Sequence, residues 1–132
     1  MTKSFEALKK FLSSKGFYPG YDEDYKAQAK GLGQKFLKDV AHALGLDEFK
    51  VDYNKAGIAC SGDHNLIGLK NGKGIYISFN LDGVISGGDI RHKFIMYRAA
   101  RHMKDWSGCS NNWTELFVDE EILLKRFNSL LQ

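Results

Sequence analysis

The chain predicts an α+β fold, an antiparallel β-meander of three to five strands with about four helices packed mainly on one face. Three observations predict it. Apolar residues recur at spacings of three and four near both ends, they alternate with polar residues in the middle, and Asn71-Gly72 sits between two apolar runs. The 132 residues suit a single domain, helical over 1–46, strand-rich over 48–86 and helical again over 90–132. An apolar content of 43% with 13% aromatics is enough to close a core and excludes a disordered chain.

The first helix is expected to be capped by Ser4, with Phe5, Leu8, Phe11 and Leu12 on one face and Gly16 as its stop. Phe17-Tyr18-Pro19-Gly20 reads as a turn. The second helix opens on Asp22, Glu23 and Asp24, where acids meet the positive end of the helix dipole. Its stripe is Tyr25, Ala29, Leu32, Phe36, Val40 and Ala43, widened by Leu37 and Leu44, and Gly45 ends it. Gly31 and Gly33 each cost about 1 kcal/mol against Ala inside a helix, which implies either a close approach there or a break.

In the middle the period becomes two. Phe49, Val51 and Tyr53 alternate with Lys50 and Asp52, then Asn54 to Gly57 reads as a turn. Ile58 to Ser61 is expected as a short strand, interrupted by Gly62-Asp63-His64-Asn65. Leu66 to Lys70 and Ile75 to Asn80 form a hairpin around Asn71-Gly72. Asp82-Gly83 offers another turn before Val84 and Ile85, and Gly87-Gly88-Asp89 closes the region.

Ile90 to Trp106 reads as a basic helix. Ile95, Ala99, Met103 and Trp106 fall on one arc at about 100° per residue, while Arg91, Arg98, His102 and Asp105 project from another. Arg91, Lys93, Arg98, Arg101 and Lys104 stand against Asp105 alone, a net +4 where the whole chain carries +3. A solvated face with Arg101 and Asp105 as an i, i+4 pair is the bland reading; an anion-facing surface is the functional one. A loop follows, Ser107-Gly108-Cys109-Ser110-Asn111-Asn112, between Trp106 and Trp113, which are expected to pin it to the core. The last helix starts near Asp119, with Val118 and Leu123 as a staple and Ile122, Leu123, Phe127, Leu130 and Leu131 as its buried side.

No catalytic signature stands out. Cys109 lies two helical turns from His102 on this reading and lacks a neighbouring base. No HExxH, CxxC or paired-carboxylate motif appears, so neither a metal nor a cofactor is expected. Two cysteines are too few for a disulfide scaffold. No apolar run is long enough for a membrane helix, and Met1-Thr2-Lys3-Ser4-Phe5-Glu6 carries an acid where a signal peptide is apolar, so a cytoplasmic location is expected.

Gly74-Ile75-Tyr76-Ile77-Ser78-Phe79, then Met96-Tyr97-Arg98, then Lys104-Asp105-Trp106-Ser107-Gly108-Cys109-Ser110-Asn111-Asn112-Trp113 resembles small accessory domains of plasmids, phages and conjugative elements. These are the domains associated with large polyvalent mobile-element proteins. The likeness covers about a third of the chain, contains no catalytic residue, and has Cys109 where the pattern has Gly. It implies a mobile-element origin and an accessory role. By analogy it points to an inhibitor of a host defence complex, as anti-CRISPR proteins are. The expected function is therefore non-enzymatic: binding and blocking a host protein or protein–nucleic-acid complex through Arg91, Arg98, Arg101, Lys104, Ser107, Asn111 and Asn112. Direct nucleic-acid binding through the same residues is the alternative. A small enzyme using His64, His92 or His102 with Asp63 or Asp89 is the second.

Overall fold

A computed structural model describes residues 2–15, 23–54, 63–80, 94–105, 110–115 and 118–132. Two helices, α1 (Thr2–Lys15) and α2 (Glu23–Leu44), lead into a five-stranded antiparallel sheet. Its strands are β1 (Glu48–Asn54), β2 (Asp63–Lys70), β3 (Lys73–Asn80), β4 (Phe94–Ala100) and β5 (Asn112–Glu115), in the spatial order β1-β2-β3-β4-β5. Helix α3 (Glu120–Asn128) and a 3₁₀ turn (Ser129–Leu131) close the chain. The class is the expected α+β meander, but among the described residues there are three helices rather than four.

The core lies between the helices and one face of the sheet. Leu66 of β2, Ile75 and Ile77 of β3, and Ile95 and Tyr97 of β4 alternate onto that face and are buried with Phe5, Leu8, Phe36, Leu37 and Val40. Phe36 joins the layers, its ring 5.6 Å from Phe5 and 5.8 Å from Phe79. Phe127 seals the other end, 5.3 Å from Tyr97. A buried Phe contributes roughly 2–3 kcal/mol, so these four phenylalanines carry much of the packing energy.

Local chemistry sets the element ends. Gly45 takes φ 69°, and the helix end closes with Gly45 N–H donating to His42 O and Leu46 N–H to Ala41 O. Asn71 and Gly72 both take positive φ, 50° and 82°, which matches the right-handed twist of a two-residue hairpin.

The expectation of a basic helix over Ile90–Trp106 is overturned. Phe94–Ala100 is strand β4, paired on both sides, with Ile77 opposite Tyr97 and Met96 opposite Trp113. Ile95, Ala99 and Met103 share a helical arc, but Ile95, Tyr97 and Ala99 equally share one side of a strand. The open edge of β3 decides the case, because its backbone groups need a partner and β4 supplies one. Smaller corrections follow from the same packing. Ser4 lies inside α1 and is buried. Ala41 rather than Ala43 completes the α2 stripe, and Ile122 is exposed on α3. Asp63, His64 and Asn65 belong to β2 instead of interrupting it. The stretches expected as a strand at Ile58–Ser61 and as turns at Phe17–Gly20, Asp82–Gly83 and Gly87–Asp89 lie outside the described residues.

Candidate functional site

Strand alternation sends every second side chain away from the helices. The opposite face of the sheet thus carries Lys50 and Asp52 from β1, Asn65 and Ile67 from β2, Tyr76 and Ser78 from β3, Met96 and Arg98 from β4, and Trp113 and Glu115 from β5. Register aligns them in rows across the strands. One row runs Asp52, Asn65, Ser78, Met96, Trp113, and the next runs Lys50, Ile67, Tyr76, Arg98. Trp113 is 61% exposed, so the expectation that it pins a loop to the core is corrected. On a four-residue edge strand its neighbour Thr114 is the residue turned inward, 1% exposed, and Trp113 must turn out.

After β4 the chain folds back in a tight turn. Arg101 N–H donates to Asp105 O at 2.8 Å and Asp105 N–H to His102 O at 3.1 Å. The His102 ring joins in, its Nδ1 accepting from Lys104 N–H at 3.1 Å. Met103 and Lys104 are thereby held over the sheet, where they line a cleft of about 540 Å³ with Lys50, Asp52, Asn65, Ile67 and Tyr76. The Tyr76 hydroxyl donates to Asn65 Oδ1 at 3.0 Å. Burial raises the Tyr76 pKa, and the carboxylates of Asp63 and Asp52 push the same way, against the Ser78 hydroxyl and Arg98.

The residues expected to bind do not form one basic stripe. Arg98 is half-buried on the open face opposite Tyr76. Arg101 is exposed in the turn and paired with Asp105 at 3.9 Å. Lys104 is exposed, and its ammonium makes no ion pair among the described residues. Asn112 opens β5 and donates its amide to Tyr97 O at 3.3 Å, a structural duty, beside the exposed Asn111. Arg91 and Ser107 lie outside the described residues. Not expected from the sequence are the pairing of Met96 with the exposed Trp113 on this face and the cleft that Tyr76 and Met103 line. The usable signal was the period of two in Ile95-Met96-Tyr97-Arg98.

Among the described residues, His64 does not pair with Asp63. Asp63 and His64 are consecutive on β2 and so point to opposite faces. His64 is fully buried under α2, between Tyr53 and Phe79 at 5.1 Å each, and neither ring nitrogen has a hydrogen-bond partner among the described residues. Desolvation lowers its pKa to about 4, which keeps it neutral. His92, Asp89 and Cys109 lie outside the described residues. Among the described residues no three His, Cys, Asp or Glu groups converge as a metal site, and no helix is long and apolar enough to cross a membrane. No protein-family model, curated protein or solved structure matches this chain.

Proposed function

We propose that this chain is a non-enzymatic binding protein that seats a protein partner on the open face of its sheet, with Trp113 as the anchor. The observation that carries this reading is the exposure of Trp113 (61%) beside Met96 on the neighbouring strand, with Arg98 in the adjacent row. Trp, Tyr, Met and Arg are the side chains that concentrate binding energy at protein interfaces, because they offer large contact area together with a polar handle. Following the resemblance to mobile-element accessory domains, the partner is a host nucleic-acid-handling defence complex, which the protein blocks by occupying a working surface.

Direct nucleic-acid binding along this face is the weaker reading. Among the described residues, Lys50, Arg98 and Lys104 exceed Asp52 and Asp63 by a single charge, Glu115 being paired with Arg126, and a strand of phosphates needs a larger cationic excess. The test is capture of a host complex from nuclease-treated extract, followed by its purification and titration against the wild type and Trp113→Ala. Removing the anchor is expected to weaken binding by about 2 kcal/mol, roughly thirtyfold, with little change in Tm. Undiminished affinity of Trp113→Ala removes the proposal, and capture that vanishes on nuclease treatment transfers it to nucleic acid.

A further inference from the structure

Two to four strand spacings across the sheet from Trp113, roughly 10–19 Å, the cleft over β1, β2 and β3 beneath the 101–105 turn has a different character. Its apolar lining is Ile67 on the sheet, which is 6% exposed, and Met103 on the turn. One wall presents hydrogen-bonding groups: Asn65, whose Oδ1 already takes the Tyr76 hydroxyl and which therefore has its amide hydrogens to offer, and the Asp52 carboxylate, an acceptor. The rim carries two ammonium groups. Lys50 lies 3.6 Å from Asp52, while Lys104 has no ion pair among the described residues, leaving the cleft one positive charge in excess.

A flat apolar body, a polar edge and a single anionic end are the three features that match this lining. A sugar phosphate offers only a narrow C–H face to Ile67 and Met103, smaller than that of a base, and a fatty acid has no edge for Asn65 and Asp52. We propose that the cleft binds a free mononucleotide, its base over Ile67 and Met103, the base edge towards Asn65 and Asp52, and the phosphate at Lys104. The volume of about 540 Å³ is that of a small-molecule site. One excess charge suits one phosphate, and among the described residues the rest of this face, Arg98 and Arg126 against Asp63 and Glu115, adds no further net charge for a longer strand to hold. The turn presents Lys104 from a fixed backbone, since the Lys104 N–H is tied to His102 Nδ1. This site stands independently of the partner proposed for Trp113.

The experiment is an NMR titration of the full chain with AMP, with adenosine, with inorganic phosphate and with a tetranucleotide RNA, observing the Ile67 and Met103 methyl groups. AMP is expected to shift both saturably, and adenosine or phosphate alone to bind at least roughly tenfold more weakly. Lys104→Glu, an exposed substitution, is expected to weaken AMP by about tenfold or more while the methyl resonances of Ile77 and Leu123 in the core stay in place. The proposal is overturned if about 10 mM AMP moves neither methyl, or if Lys104→Glu keeps full affinity. It is equally overturned if the tetranucleotide binds through these residues roughly tenfold or more tightly than AMP, which would make the cleft part of a strand-binding track.

Discussion

Two glycines two residues apart, and so on nearly opposite sides of α2, are expected to respond in opposite ways to one added methyl group. Replacing either by Ala relieves the backbone entropy cost of glycine in a helix, a gain of about 1 kcal/mol. At Gly31 a new Cβ meets nothing within 4 Å among the described residues, so Gly31→Ala keeps the gain. At Gly33 the same atom lands 2.4 Å from both Cε1 and Nδ1 of His64 and 2.9 Å from its Cγ. Carbon contacts settle near 3.5–4.0 Å, so the ring or the helix has to move by about 1 Å. The imidazole has little room, held between Tyr53 and Phe79 at 5.1 Å each. Overpacking of this kind costs about 1–3 kcal/mol, which cancels or exceeds the helical gain and separates the two variants by a similar amount. Urea unfolding followed by circular dichroism measures this as a difference in midpoint at constant slope. In a His64→Ala background the obstruction is gone, and Gly33→Ala is expected to become as favourable as Gly31→Ala. A double-mutant cycle whose coupling lies within about 0.3 kcal/mol of zero, or a Gly33→Ala protein as stable as Gly31→Ala, refutes the packing of α2 on His64.

The same histidine sets a pH dependence. It titrates at about 4 when folded against 6.5 when unfolded, so between those values the unfolded chain binds the extra proton. Stability is therefore expected to fall by about 3 kcal/mol as pH drops from near 6.5 towards 4, with no contribution above that window. His64→Leu is expected to lose this share of the slope; an unchanged slope places the titration elsewhere. At the far edge of the sheet, Arg126 of α3 donates to the buried Thr114 hydroxyl and lies 3.4 Å from a Glu115 carboxylate oxygen. Arg126→Leu is expected to cost about 1–2 kcal/mol by leaving Thr114 short of a donor, with faster amide exchange in β5, and stability within 0.5 kcal/mol of wild type would show that the tie is idle.

Much of the fold is legible in residue order because the relevant physics is local. The α2 stripe follows from side chains three and four apart sharing a face, and its end at Gly45 follows from a left-handed φ that other residues resist. Asn71-Gly72 fixes the β2–β3 register for the same reason, since both residues accept positive φ. Gly33 is different. Its cost is visible in the sequence, but the reason for tolerating it is an imidazole thirty-one positions away, and no local pattern announces that contact.

The candidate site was the least legible part. In Ile95-Met96-Tyr97-Arg98-Ala99-Ala100 the apolar positions fit periods of both two and three to four, and Ala, Met and Arg favour helices, so intrinsic preference leaned the wrong way. What chose the strand was the unpaired edge of β3, a demand that exists only once the hairpin has formed. That choice redistributed the charge. As a helix the segment would have gathered its arginines on one side; as a strand and a turn it leaves Arg98 beside Tyr76, pairs Arg101 with Asp105 and hangs Lys104 over a cleft. Sequence alone determined the α+β class, the helix stripes and the turn residues, because each depends on neighbours a few positions apart. Only tertiary structure decided which face stays open, where Trp113 points and which groups meet across the sheet, because those follow from strand pairing between residues far apart in the chain.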